Sequence, residues 1–189
     1  MSWSAIVPIN LGRERKSRLA ERLSAPERAT LADAMSEHVL ACLLETPEIS
    51  KVVVLSPQLR VRAGVERRRD FGGGLNPELA ALRGALPGPL LVILGDLPLL
   101  SVEDLRALLA VAERAGIALA PDRHGLGTNA VALMPNREFA FAFGEDSCAR
   151  HKLAAGGDAA IVERPGLAHD VDTPADLDAA VAAGWRCKN

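Results

Sequence analysis

Leu94-Gly95-Asp96-Leu97-Pro98 closes the apolar run 89–94, and Asp170-Val171-Asp172-Thr173-Pro174 closes a second short apolar stretch far along the chain. Each places a carboxylate where a buried strand gives way to a turn and then a helix. In an open α/β sheet that place is the carboxyl edge, outside which ligands bind. Two such carboxylates meeting in space hold a hard divalent cation such as magnesium, together with phosphate oxygens. Either Asp alone reads equally well as the cap of the helix that follows it. The pair points to a site.

Outward from 94–98, strand and helix signals alternate. Residues 3–9 read as a first strand, followed by a basic loop, 10–18. Pro26 opens a helix whose Leu31, Met35, Val39 and Leu43 recur every fourth residue. Residues 51–55 are a β-branched run stopped by Ser56-Pro57, a second buried strand. Gly72-Gly73-Gly74 leads into Leu75-Asn76-Pro77, with Asn76 as the expected helix cap and Pro77 in the first turn. Past Asp96 come a helix from about Val102, a strand at 117–120, a turn-rich loop at 121–127 and a strand at 130–134. Ser147 opens a helix to about Ala155, residues 160–162 and those before Asp170 read as strands, and 174–183 as a last helix. No repeat, linker or low-complexity segment interrupts this, so 1–189 reads as a single domain. The alternation predicts an α/β fold with a three-layer, mostly parallel, doubly wound sheet.

Composition narrows the function classes. Lys and Arg number 22 against 24 Asp and Glu, so no basic excess marks a nucleic-acid surface. Tyr is absent and aromatics make up 3% of the chain, which argues against stacking on single strands. Cys42, Cys148 and Cys187 are odd in number and lack Cys-x-x-Cys spacing, so neither a disulfide framework nor a zinc site is expected. The N-terminal residues lack the basic region and long apolar stretch of a signal peptide, and no run approaches the ~20 apolar residues of a membrane span. The expectation is a cytoplasmic protein that binds no nucleic acid and no membrane.

The loop at 10–18 concentrates positive charge at the first carboxyl edge, with Lys16 as a point charge and Arg18 as a bidentate partner for a polyanion. It is not a Walker loop, and alone it reads as solvated surface. Ser147 at a helix start turns its hydroxyl and orphan backbone N–H groups toward an anion, and Thr128 follows Gly127 in a tight turn. A plain helix cap and a plain loop are the alternatives. His38, seven residues beyond Leu31, reads as a satisfied core histidine. His124, His151 and His169 show no metal-ligand spacing, and Arg67-Arg68-Arg69 reads as a solvated face.

Several segments in order carry a more specific resemblance: Lys16-Ser17-Arg18-Leu19, Gly74-Leu75-Asn76, Asp96-Leu97-Pro98-Leu99-Leu100, Ala120-Pro121-Asp122-Arg123, Gly127-Thr128-Asn129-Ala130, Arg150-His151 and Asp170-Val171-Asp172-Thr173-Pro174. Over nearly the whole chain this resembles the 2-phospho-L-lactate guanylyltransferase family of coenzyme F-420 biosynthesis, within the nucleotidyltransferase fold of the molybdenum-cofactor guanylyltransferases. The resemblance implies transfer of GMP from GTP to a phosphorylated three-carbon acid with release of pyrophosphate. Phospholactate, phosphoenolpyruvate and 3-phosphoglycerate fit that class. It further implies Asp96 and Asp172 as the Mg2+ carboxylates, with Asp170 the alternative second ligand. Lys16 and Arg18 become catalytic GTP contacts, Asn76 a guanosine contact, and Thr128, Gly144 and Ser147 the contacts to the acid. A homodimer is left open.

The chain departs from the family at Gly144-Glu145-Asp146-Ser147-Cys148, where a small residue usually precedes the serine and an aromatic follows it. That bears on the acceptor more than on guanylyl transfer. A sugar-phosphate or molybdopterin acceptor would favour Leu-Ala-Gly-Gly after the first strand, where this chain has Ile9-Asn10-Leu11-Gly12. A silent nucleotide-binding module would tolerate loss of both carboxylates, which are retained.

Overall fold

The central strands carry apolar side chains on both faces, so they must be covered on both sides. Trp3–Pro8 (β1), Ile49–Leu55 (β2) and Leu90–Ile93 (β4) are almost wholly buried, as parallel strands between helical layers are. In the computed structural model, which describes residues 1–9, 16–57, 63–70 and 72–187, they join Val65–Arg68 (β3), Ile117–Pro121 (β5), Thr128–Leu133 (β6) and Ala160–Ile161 (β7) in one sheet of order β3-β2-β1-β4-β6-β5-β7. All neighbours are parallel except β6, which runs antiparallel to both β4 and β5. The mostly parallel expectation holds. Only six residues separate β5 from β6, too few for the crossover that a parallel pair needs.

Alternation along each strand sorts the core into two faces. Val7, Val54 and Ile93 pack with Val39 and Leu43 of Ala25–Glu45 (α1) and with Leu105 and Leu108 of Val102–Ala115 (α3). On the other face Ile6, Val53 and Val92 pack with Leu79 of Leu75–Ala85 (α2) and with Phe141 and Phe143. Three layers result. Ser147–Ala154 (α4), Pro165–Ala168 (α5) and Pro174–Ala182 (α6) complete the helices among the described residues. A third, smaller cluster joins Leu19, Met35 of α1, Val171 and Leu177 of α6. It pins the chain just beyond Lys16 to the chain between Asp170 and Asp172.

Two expectations are corrected. The residues before Asp170 form the single turn α5, not a strand, because Pro165 sets a helical first turn and Gly166 packs closely on Asp104 and Leu99. Asn76 does not cap α2: Gly74, at φ 94°, takes the cap position, and Asn76 is already inside the helix. The strand β3 has no counterpart in the sequence reading. It places Arg67 and Arg68 on the sheet's outer edge, exposed as expected. His38 is satisfied by the Leu100 carbonyl at 2.8 Å.

Candidate active site

The helices after the two acidic turns find their caps elsewhere. Ser101 caps α3, accepting from the Asp104 N–H at 3.1 Å, and Asp104 reaches back to the Ser101 N–H. Thr173 caps α6 in the same reciprocal way with Asp176. Capping therefore leaves Asp96 and Asp172 free. The Val171 N–H donates to the Asp96 carbonyl at 3.2 Å, drawing the two turns together.

Lys16 meets both carboxylates. Its Nζ lies 2.5 Å from Asp96 Oδ2 and 2.6 Å from Asp172 Oδ1, linking residues 80 and 156 positions apart. The ammonium is aimed by a left-handed backbone (φ 53°) at the head of one 3-10 turn, Ser17–Leu19, whose Leu19 is fully buried. Burial alone would lower the Lys16 pKa, but the charges of Asp96 and Asp172 outweigh it and hold it above the ordinary lysine value. Arg18 is exposed on the same turn, and among the described residues nothing binds its guanidinium. Residues 10–15 of the basic loop lie outside the described residues.

Asp170 completes an acidic face. Burial, then the charge of Asp96 and to a lesser extent that of Asp172, push its carboxyl up to about 6, against the opposing hydrogen bond from Asn129 Nδ2 at 3.2 Å. Asp96 Oδ1 is buried with no hydrogen-bond partner among the described residues. An orphaned carboxylate oxygen beside a second carboxylate suits a hard cation. No three His, Cys, Asp or Glu side chains form a ready metal cage among the described residues. Magnesium, commonly held by one or two carboxylates together with phosphate oxygens and water, fits such a donor set.

The antiparallel course of β6 brings the second half of the site. Its first residues lie beside the carboxyl end of β4, where the Leu94 N–H donates to the Asn129 carbonyl at 2.9 Å. The preceding turn is tied by Asp122, whose carboxylate accepts from the N–H groups of His124, Leu126 and Gly127. Thr128, 2% exposed, follows directly. Ser147 is also 2% exposed and is the first residue of α4; its N–H donates to the Gly144 carbonyl at 3.2 Å. Asp146 before it is exposed, in the left-handed region at φ 51°. Asn76 spends its amide on the Phe143 backbone, accepting at 2.8 Å and donating at 3.1 Å. It therefore braces the loop that leads to Gly144.

Sequence reasoning set His151 aside for lack of metal-ligand spacing. It lies wholly buried with Nδ1 3.0 Å from Thr128 Oγ1. The available signal was helical: Ser147 and His151 are four apart, hence on one face of α4.

With this geometry in view, the comparisons are specific. The family described as guanylyl transferase CofC like matches residues 3–185. The chain belongs to that family. A phosphoenolpyruvate guanylyltransferase of Sphaerobacter thermophilus is 41% identical, covering 94% of this chain and 92% of its own. A protein of the same name from Nocardia farcinica is 37% identical, over 95% and 85%. Among solved structures, a putative nucleotide-diphospho-sugar transferase of Desulfovibrio desulfuricans superimposes with a TM-score of 0.72 at 14% identity, covering 94% of this chain and 86% of that one. A 2-C-methyl-D-erythritol 4-phosphate cytidylyltransferase of Thermus thermophilus gives 0.63 at 17%, over 97% and 98%. These likenesses show the fold, of nucleotidyltransferase type. The CofC-like protein is a guanylyltransferase by family. No described helix is long and apolar enough to cross a membrane.

Proposed function

We propose that this CofC-like protein transfers GMP from GTP to phosphoenolpyruvate, releasing pyrophosphate, in the biosynthesis of coenzyme F-420. The observation that carries the reading is the meeting of Lys16, Asp96 and Asp172 at the carboxyl edge. The names of the relatives support phosphoenolpyruvate over the other phosphorylated three-carbon acids.

The attacking group is a phosphate oxygen of the acid, already ionised near neutral pH because its second pKa is ~6. It bonds to the α-phosphorus of GTP. The bond from that phosphorus to the β-bridging oxygen breaks, and its electron pair leaves with pyrophosphate. No proton must be removed, so no dedicated base is needed; the task is alignment and charge compensation. Magnesium on Asp96 and Asp172, when bound, neutralises charge on the transferring group and the leaving pyrophosphate. Lys16 and Arg18 bind the triphosphate of GTP. Asn76, whose amide pairs with the Phe143 backbone, braces the loop that carries Gly144. Thr128, Gly144 and Ser147 hold the acceptor, with the two hydroxyls on its phosphate. Asp146 is solvent-exposed, where water and salt screen its repulsion of an anionic acid.

The test crosses four nucleoside triphosphates with phospholactate, phosphoenolpyruvate and 3-phosphoglycerate and measures pyrophosphate release. GTP with phosphoenolpyruvate is expected to give the highest kcat/KM. Absence of release with every pair would replace the reading by a binding module, and a preference for another acid would correct the acceptor.

A further inference from the structure

His151 sits where a histidine has little freedom. Phe139 stacks on the ring at a centroid distance of 5.3 Å, and Phe143 meets it edge-on at 4.7 Å. Its Nε2 receives the backbone N–H of Ala142 at 2.9 Å. A backbone N–H only donates, so Nε2 is the unprotonated nitrogen, and in a neutral imidazole the hydrogen then lies on Nδ1. That Nδ1–H faces Thr128 Oγ1 at 3.0 Å and donates to it. Burial, aided by the charge of Arg150, lowers the His151 pKa to about 4, so the neutral ring persists through the working pH range.

The consequence falls on Thr128. A threonine hydroxyl left to itself can donate or accept. Here it already accepts from His151, and no other hydrogen bond binds its side chain among the described residues. Its own hydrogen is left to donate elsewhere. A phosphate dianion offers only acceptor oxygens, so a hydroxyl restricted to donating matches it. We propose that His151 is a positioning residue that fixes the Thr128 hydroxyl as a hydrogen-bond donor to the phosphate of the acceptor acid. The inference rests on the reading of Thr128 as a contact to that phosphate.

The two nitrogens of His151 can be tested separately. His151→Asn places an amide nitrogen where Nδ1 stood and keeps a donor for Thr128. His151→Gln extends its amide toward the Nε2 position and loses that donor, and His151→Phe loses both. With phosphoenolpyruvate as the probe, the Gln and Phe variants should raise its KM about tenfold or more. GTP KM should be unchanged, and His151→Asn should restore most of the loss. Thr128→Val should give a similar rise, with no further rise when combined with His151→Phe.

If Thr128→Val leaves the KM for phosphoenolpyruvate unchanged, the assignment of Thr128 to the acceptor phosphate fails, and this inference with it. If Thr128→Val is impaired while the Asn and Gln variants behave alike, the role of His151 alone is overturned. Nitrogen-15 NMR of the unmodified protein reads the tautomer without any variant. A hydrogen on Nδ1 is expected, and one on Nε2 overturns the proposal whether or not the variants fold.

Discussion

Asp96 is 23% exposed at its side chain, shares Lys16 with Asp172, and keeps one oxygen without a partner among the described residues. Because Ser101 and not Asp96 caps α3, Asp96→Asn removes charge without removing a helix cap. The variant should fold, with kcat reduced ~100-fold or more, as when one stabilising group is lost from a charged transition state. Turnover near that of the unmodified protein would remove Asp96 from the metal site. His151 gives a prediction of another kind. Its folded pKa of about 4 lies below the ordinary 6.5. Its share of stability is therefore complete above pH 6.5 and is lost as pH falls toward 4, on the order of 3 kcal/mol. Denaturant titrations of the unmodified protein and His151→Asn should converge over that window; parallel curves would contradict the shift. Asp96 and Asp172 were legible because carboxylates that close apolar runs stand out. Lys16, in a loop that alone reads as solvated surface, is singled out by the resemblance carried by Lys16-Ser17-Arg18-Leu19. Asn76 was misread as a cap because its partner, Phe143, lies 67 residues away and local spacing carries no trace of it. His151 escaped because metal-ligand spacing was the pattern sought, while its four-residue step from Ser147 along α4 went unused.

At the scale of elements, the acidic turn 170–172 depends on the single turn α5 that was read as a strand. Four residues are too few for a helical period to declare itself, and a short apolar stretch reads either way. Pro165 was the available sign. What holds α5 is close packing. A Cβ on Gly166 would lie 2.6 Å from the Leu99 carbonyl oxygen and collide with the Asp104 carboxylate, which Arg164 grips at 2.8 Å. Leu99 is backbone and Asp104 is committed to capping α3, so neither can yield cheaply. Gly166→Ala should cost about 1–3 kcal/mol, lowering Tm by roughly 2–4 °C per kcal/mol. It should also raise the magnesium concentration needed for half-maximal activity, because the Leu167 carbonyl steadies Asn129, and Asn129 steadies Asp170, two residues before Asp172. An unchanged Tm would mean that α5 is not the rigid support of the acidic turn. The antiparallel strand β6 was within reach of the sequence, since six residues between β5 and β6 permit a hairpin but not a crossover.

The whole molecule places the site where the strand order reverses, between β1 and β4. β1 pairs with β2 on one side and β4 on the other. The chain leaving β1 supplies Lys16, and the chain leaving β4 supplies Asp96, in the crevice where doubly wound folds bind ligands. The three-layer order was legible because alternating buried runs and helices admit few topologies. The meeting of Lys16 with Asp172 across 156 positions needed the cluster of Leu19, Met35, Val171 and Leu177, which is written in no local pattern. Such a site joins distant segments that separate on unfolding, so a ligand bound there must stabilise the entire fold by mass action. At a concentration 100 times its Kd, GTP with magnesium contributes about 2.7 kcal/mol, or a Tm rise of roughly 5–10 °C for a chain of this size. With EDTA most of that rise should vanish, because the single charge of Lys16 is then left alone to offset Asp96, Asp170 and Asp172 against the triphosphate. Asp96→Asn should lose the metal-dependent part and keep whatever GTP contributes alone. Equal Tm shifts with magnesium and with EDTA would separate GTP binding from the carboxylates and move the nucleotide site away from the crevice between β1 and β4.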